Sequence, residues 1–420
     1  MFVKMNYADG VDTMKQEQHR WRMALGWWVV AGTIGVLLRY QLVWPLAGLN
    51  YTFLLHTHSH VVLLGWTFNA LYLAVVITFV RSSESVAYRS IWIGFQLAIL
   101  GMLVFFPLQG YAAGSIAFST LHVLISYYLA WRVWQDLRHD QSLSARLLRW
   151  GLFFLVVSTL GPYALSVLKA RHLQESSWYN LAIYFYLHFL YNGWFLFGCL
   201  ALIFRFAEKQ GLTLTLPAEN RLVAILVWSC LGTSTLSALW TDPPLLIWLV
   251  AGASAIVQAG VGVWLASWLI RYRNRLSEEL TPQAYWLVRL ALVSFCLKLG
   301  LQLLSALPWA AEWAYYQRHL VIAYLHLVFI GFVTLFLLAW ALQHKYLRWS
   351  SGAMSAIILF FTLTESGLVM ESVLQKLGTY LHYFGEIMLA LSIGLWIGVV
   401  ICGRSNSMGG LRSMEKYMSG

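Results

Sequence analysis

Residues 52–80 read TFLLHTHSHVVLLGWTFNALYLAVVITFV, an apolar run in which three histidines alternate with small polar residues near the start. The run contains no Asp, Glu, Lys or Arg and exceeds the roughly 20 residues that an α-helix needs to cross a hydrocarbon core. It therefore predicts a membrane-spanning helix that carries imidazole groups. Ionisable side chains inside a membrane are costly and usually mark a function.

The composition of the whole chain agrees with this prediction. The 420 residues are 60% hydrophobic and 11% charged, whereas soluble domains are about 45–50% apolar and about 25% charged. The four cysteines lie in apolar runs without a Cys-x-x-Cys spacing, which argues against disulfides, zinc and covalently attached haem c. The net charge of +11 is not concentrated in a soluble basic domain, so no nucleic-acid partner is expected. We expect an all-α polytopic membrane protein.

Apolar runs of sufficient length recur along the chain and predict twelve spans in one bundle. Residues 1–22 are predicted to form a cytoplasmic segment, residues 23–402 a single transmembrane domain, and residues 403–420 a cytoplasmic tail. The approximate limits of the spans are 23–43, 52–80, 90–108, 113–137, 146–168, 178–206, 221–240, 244–270, 284–306, 317–343, 352–374 and 378–402.

The basic residues set the predicted orientation. Lys298 falls inside a span, and five of the 28 Lys and Arg residues fall in loops on one side: Arg39, Lys169, Arg171, Arg318 and Lys376. The other basic residues, among them Lys4, Arg81, Arg412 and Lys416, fall on the opposite side. By the positive-inside rule both termini face the cytoplasm, as in a multi-pass protein of the inner (cytoplasmic) membrane.

Histidines recur at a similar predicted depth in even-numbered spans. The outward-facing halves of five spans carry them: His56, His58 and His60 in the second, His122 in the fourth, His188 in the sixth, His326 in the tenth and His382 in the twelfth. A single buried histidine is more often a polar residue that bridges two helices. Five helices with imidazoles at a shared depth instead favour a haem or metal layer.

The three histidines of the second span leave two arrangements open. Residues four apart share a helix face, so His56 and His60 are placed to chelate one ion. His58 points to another side of the helix, where it is placed to be a single haem ligand. Spacing alone does not choose between these arrangements.

A family resemblance favours the second arrangement. From His58 to Leu71 the sequence has a Gly-Trp pair seven residues after the histidine and ends in Asn-Ala-Leu. This pattern resembles the second span of the haem-copper oxidase catalytic subunit I, especially in the cbb-type oxidases and nitric oxide reductases. In the tenth span, His326 precedes Gly331 by five residues, as does the family's second ligand. The resemblance implies a twelve-helix bundle of that type, with a low-spin haem b held by His58 and His326.

The chain departs from the family at the second metal site. The segment from His188 to Trp194 looks like the one that carries the first copper ligand, with Asn192 where nitric oxide reductases tend to have a glutamate. Tyr324 stands where the family has the axial ligand of the high-spin haem, and residues 239–244 read LWTDPP where the family has two adjacent histidines. Copper needs about three nitrogen donors here, and one imidazole remains. We expect a vestigial or rebuilt second site, without an intact copper site or a second haem.

Further residues have predicted roles around these sites. Arg39, Arg318 and His319 are candidates to contact haem propionates, although the two arginines would serve equally as helix caps or lipid anchors. Lys298, Glu365 and Glu386 are candidates for a proton path or for structural pairs between helices. His382 and Glu386 are expected to share a helix face, His122 to bridge helices, and Tyr324 to bond a neighbouring helix rather than ligate haem.

The sequence leaves several functions open. The first is a haem b protein of the oxidase subunit I type, which carries electrons or binds O2 or NO and takes electrons from a cytochrome c or a quinol. The second is an active oxidoreductase, a terminal oxidase or nitric oxide reductase with a rebuilt second site. The third is a haem or copper handling protein linked to nitric oxide tolerance. A transporter without a cofactor is the fourth. Other membrane subunits are possible partners of the respiratory types.

Overall fold

The computed structural model describes residues 7–80 and 82–407, and this part of the chain is helical without any strand. Twelve of its helices are long and apolar enough to cross a membrane, which confirms the number of predicted spans. We label them α1 (Val11–Val43), α2 (Tyr51–Phe79), α3 (Val86–Gln109), α4 (Ala113–Asp136), α5 (Leu143–Ala170), α6 (Ser177–Lys209), α7 (Leu216–Thr241), α8 (Leu245–Arg271), α9 (Pro282–Leu304), α10 (Arg318–Gln343), α11 (Ser351–Lys376) and α12 (Phe384–Asn406). The chain is therefore a multi-pass helical membrane protein.

The predicted start of the twelfth span is wrong by six residues. Helix α12 begins at Phe384 rather than at residue 378, because the backbone turns at Gly378 and Tyr383, whose φ angles are +77° and +58°. A positive φ angle interrupts a right-handed helix. Lys4, Arg81, Arg412 and Lys416, which contributed to the predicted orientation, lie outside the described residues, as does the tail from residue 408.

The helices form two compact units. Unit 1 contains α1, α2 up to Ala74, α3, the first half of α4, the end of α10 from Leu337, α11 and α12. Unit 2 contains the second half of α4, helices α5 to α9, and α10 up to Phe336.

In unit 1, helix α1 packs against α2 and α12, and α12 packs against α11. Helix α1 ends shortly before Pro45, and the Gln41 side chain accepts a hydrogen bond from the backbone N–H of Leu46 at 2.9 Å. Helix α2 begins directly after Asn50, whose side chain accepts a hydrogen bond from the backbone N–H of Phe53 at 3.1 Å. This cap satisfies one of the unpaired donors at the helix start. The short connection fixes where the histidines of α2 enter the bundle.

In unit 2, helix α5 packs against α6, and α7, α8, α9 and α10 follow as successive neighbours. Charged side chains hold the loop before α5 and the first turn of α5 against α6. Asp140 pairs with Arg205, and Glu208 accepts from the N–H and hydroxyl groups of Ser144 at 2.9 and 2.6 Å. These contacts set the start of α5 relative to the end of α6.

Helices α2, α6 and α10 differ from the other nine. In their most apolar windows 83%, 83% and 56% of the residues are buried, against at most 44% in the other spans. Each also contains a π-helical segment: Val61–Phe68, Phe189–Phe195 and Leu327–Thr334. Every fourth span is thus an inner helix with the wider π winding.

Candidate functional site

His58 lies on the side of α2 that faces α1, where its ring has a specific partner. Its Nδ1 atom donates to the backbone carbonyl of Ala31 at 2.9 Å. The ring also lies against Gly35, where an added Cβ atom would come within 3.0 Å of the His58 Cε1 atom. In this neutral tautomer the Nε2 atom carries the lone pair. A histidine ligand whose other nitrogen donates to a carbonyl is the usual arrangement at metal and haem iron, so His58 fits the group that the sequence implies.

His56 and His60 lie on a different face of α2, among aromatic side chains. Their ring centroids are 4.6 and 5.8 Å from that of Tyr111, and the His60 ring is 4.3 Å from Phe106. The Nδ1 atom of His60 donates to the His56 carbonyl at 2.9 Å. The structure thus separates His58 from this pair, as the helical spacing predicts.

His326 is the last residue of α10 before its π segment. It is half-buried, as is His319 two turns earlier. Arg318 is exposed at the start of the same helix, and Arg39 is half-buried near the end of α1.

A chain of hydrogen bonds crosses the interior of unit 2 at His188. The Nε2 atom of His188 donates to the Cys230 carbonyl at 2.8 Å, so its Nδ1 atom accepts from the Asn192 amide at 3.1 Å. The Oδ1 atom of Asn192 in turn accepts from the Lys298 ammonium group. Every donor and acceptor in this series of hydrogen bonds is consistent with a neutral His188. Because both ring nitrogens are engaged, His188 binds a metal only if one of these bonds is broken.

Lys298 is buried, with 2% of its surface exposed. Among the residues that the structure describes, no ion pair includes Lys298, and its Nζ atom lies 5.9 Å from the ring centroid of Tyr191. The Asn192 amide oxygen and the face of the Tyr191 ring thus contact the ammonium group, where a carboxylate would usually be its partner. The sequence marks Lys298 as a buried charge but does not reveal its partners.

A second set of polar side chains in the interior of unit 2 begins at Tyr324. The Tyr324 hydroxyl lies 3.5 Å from Oε1 of Gln302 on α9, and the Nε2 atom of Gln302 donates to Gln258 on α8 at 2.5 Å. The Nε2 atom of Gln258 has no hydrogen-bond partner within the described part of the chain. Tyr324 therefore contacts a neighbouring helix, as expected. Neither glutamine was predicted, although glutamines within the apolar runs of α8 and α9 are a signal for buried polar contacts.

The segment at residues 239–244, where the resemblance implies copper-binding histidines in the family, has a structural role in this chain. The end of α7 is wound as a 3-10 helix over Ser234–Thr241. The Trp240 ring stacks on Tyr315 with centroids 3.8 Å apart, and the Tyr315 hydroxyl accepts from the Asn180 amide at 3.1 Å. Aromatic packing thus occupies this position.

The remaining buried or charged candidates are scattered. The predicted helix face shared by His382 and Glu386 is wrong, because His382 is exposed in the turn before α12. His122 is buried against Phe68 and Phe95, at centroid distances of 5.0 and 4.6 Å.

The acidic residues of α11 have different surroundings. Glu365 is half-buried and accepts from Thr364 at 3.3 Å. Glu371, which the sequence pattern did not single out, is buried and accepts hydrogen bonds from the Gln375 amide at 2.8 Å and the N–H of Leu381 at 3.0 Å. These hydrogen bonds hold the loop after α11 in place, so Glu371 has a structural role.

The described residues contain no group of three or more His, Cys, Asp or Glu side chains arranged to hold a metal ion. The chain matches no protein-family model, and no curated protein matches it at a significant level. What the fold and site define is a twelve-span helical membrane protein with histidines on its inner helices. The resemblance to the oxidase subunit consequently depends on the motifs alone.

Proposed function

We propose that this chain is a haem b-binding membrane protein related to the catalytic subunit of respiratory oxidases and nitric oxide reductases. The observation that carries the proposal is the environment of His58: Nδ1 donates to Ala31, and Gly35 leaves space for the ring. This orients one imidazole for ligation through Nε2. The matching motifs of α2 and α10 add His326 as the second ligand.

The proposed ligand set determines the chemistry. A haem b with two neutral imidazoles has no open coordination position and is suited to transferring single electrons. Arg39, Arg318 and His319 would bind its propionates. A cytochrome c or a quinol is the proposed electron donor, and further membrane subunits are proposed partners. The proposed location is the inner membrane, with both termini in the cytoplasm.

A turnover site for O2 or NO is the second candidate, and the contacts of His188 bear on it. Rebuilding a metal site there requires His188 to release Cys230 or Asn192, and it would strand a buried donor or acceptor at a cost of about 1–3 kcal/mol. The proposal therefore favours electron transfer over gas reduction. A haem or copper handling role linked to nitric oxide tolerance is the remaining alternative.

The test is a redox spectrum of the purified full chain with single substitutions in α2 and α10. We expect a six-coordinate low-spin haem b signal that is lost in His58→Ala and in His326→Ala. His60→Ala, on the same helix but on another face, is the matched control and should keep the signal. Retention of the signal in His58→Ala, or a protein that binds no haem, would contradict the proposal.

Carbon monoxide and a metal inventory separate the alternatives. A spectrum that carbon monoxide leaves unchanged supports the electron-transfer protein. A shift together with consumption of O2 or NO supports the active enzyme. Stoichiometric copper without haem supports the handling protein.

A further inference from the structure

A groove with basic and apolar walls lies between α1 and α3 in unit 1. Its volume is about 530 Å³. Lys15, His19 and Arg20 line it from α1, and Arg89 lines it from α3. The two helices are joined beside it by a hydrogen bond of 2.7 Å from Trp27 to Gln96, so the groove has a fixed wall. We call this feature the basic groove.

The acidic residues of the protein neutralise only part of the positive charge of the basic groove. Arg20 pairs with Glu84 at 2.8 Å, and exposed Lys15 lies 3.8 Å from exposed Asp12. Such an exposed pair is worth little. None of the ion pairs between described residues includes Arg89, and its side chain is exposed. The groove therefore suits an anionic ligand.

The other wall of the groove is apolar and continues along α3. Trp92, Ile93 and Leu97 line it. Ile93 and Leu97 are 52% and 55% exposed, and the next residues on the same helix face, Leu100 and Val104, are 51% and 47% exposed. Positions three or four apart form one stripe on a helix. An apolar path therefore leads away from the basic end of the groove.

The basic end of the groove lies at the expected depth of lipid headgroups. The apolar part of α1 runs from Met23 to Val43, a length of about 30 Å that matches the hydrocarbon core. His19 and Lys15 precede Met23 by one and two helical turns. Their polar side chains thus belong to the headgroup region, whereas the stripe on α3 belongs to the hydrocarbon region.

We propose that the basic groove binds one anionic phospholipid, with its phosphate beside Lys15, His19 and Arg89 and one acyl chain along Ile93 and Leu97. Basic pockets between membrane helices bind such headgroups through charge and hydrogen bonds. A free phosphate ion shares the headgroup chemistry but gains nothing from the apolar stripe. The combination of the two walls identifies the lipid.

The proposal is tested by titrating the purified full chain, in a neutral detergent, with phosphatidylglycerol and counting bound lipid by native mass spectrometry. We expect saturable binding of one molecule and at least tenfold weaker binding of phosphatidylcholine. In Lys15→Ala/Arg89→Ala we expect affinity for phosphatidylglycerol to fall about 30-fold, since each basic residue near a membrane surface contributes about fivefold. Lys209→Ala/Arg271→Ala removes two exposed charges elsewhere and should keep the affinity.

Three results would overturn the proposal: equal binding of the two lipids, an equal loss in both double variants, or complete displacement of phosphatidylglycerol by millimolar inorganic phosphate. The last would identify a free-anion site. If the Lys15 and Arg89 variant does not yield folded protein, Leu97→Trp provides the same comparison. It narrows the groove while keeping every charge, so it should weaken phosphatidylglycerol binding, and unchanged affinity would overturn the proposal.

Discussion

Asn192 is the residue on which the buried polar contacts of unit 2 depend. It accepts from Lys298 through one atom and donates to His188 through the other. Removal of Asn192 would leave a buried ammonium group and a buried ring nitrogen without their partner. Removal of Lys298 would leave only an amide oxygen without a donor. The cost of an unsatisfied group is larger when the group is charged.

We therefore predict that Asn192→Leu lowers the free energy of unfolding by about 3 kcal/mol, whereas Lys298→Met changes it by about 1 kcal/mol or less. The double variant should be more stable than Asn192→Leu alone, because no buried ammonium group remains. Thermal unfolding of the purified protein in detergent measures all three. Additive effects of the two substitutions would show that the two side chains are not coupled.

Asp140, in the loop before α5, makes a pH-dependent contact outside the membrane. Burial alone would raise the pKa of its carboxyl group, but the hydrogen bonds from Ser142 and Arg205 outweigh burial and lower the pKa below its usual value. A carboxylate with a lowered pKa stabilises the fold above its unfolded-state pKa of about 4, and this contribution is lost as the pH falls through the lower folded value.

We predict that Asp140→Asn lowers the melting temperature at pH 7, by an amount that corresponds to about 1 kcal/mol. The difference from the unsubstituted chain should shrink as the pH falls below about 4 towards the lower folded pKa of Asp140, because the carboxylate is progressively protonated over this range. Melting curves between pH 7 and pH 3 provide the measurement. A difference that stays constant over this range would exclude an ionic contribution from Asp140.

At the residue scale, the sequence predicts which side chains are unusual but not which of them meet. His188 and Lys298 are both recognisable as polar residues in apolar runs. The contact that joins them passes through Asn192, which lies 106 positions from Lys298. Hydropathy contains no information on such pairings, since any polar residue on a facing helix would satisfy the same rule. The faces of the α2 histidines were predictable, because helical spacing is local.

At the scale of the helix, the π segments are the main feature that the hydropathy pattern does not predict. Each directly follows a histidine, His60, His188 or His326, and each histidine is followed by glycine five residues later and an aromatic residue at the sixth position. This threefold pattern is visible in the sequence once the structure shows which helices to compare. π-Helical turns are rare and often occur at functional sites.

The glycine of the pattern is required by packing in α6. A Cβ atom on Gly193 would lie 2.3 Å from the Cβ atom of Phe154 on α5, whereas one on Gly300 in α9 meets nothing within 4 Å. We predict that Gly193→Ala destabilises the protein by about 1–3 kcal/mol through overpacking. Gly300→Ala, the matched control, should be neutral or stabilise it by up to about 1 kcal/mol through helix propensity. Melting temperatures of the two variants test this, and equal values would contradict it.

At the scale of the whole molecule, the sequence predicts the number of spans but not the division between inner and outer helices. Lipid tails are as apolar as leucine side chains, so a helix that faces lipid and a helix that faces other helices have similar hydropathy. The burial of α2, α6 and α10 arises from the packing of many helices. The start of α12 was also not predicted, because the positive φ angle at Tyr383 reflects a turn that composition does not encode.

The wider winding of α2, α6 and α10 has a consequence for how these helices change over evolution. A π turn holds one residue more than a regular turn, which is equivalent to a single inserted amino acid. Deleting one residue within Val61–Phe68 would remove the extra residue and replace the wider turn with regular α-helical winding. The extra residue is therefore tied to the wider turn that follows the histidine in each of these helices. One-residue deletions should be tolerated far less in these three segments than in the loops between helices.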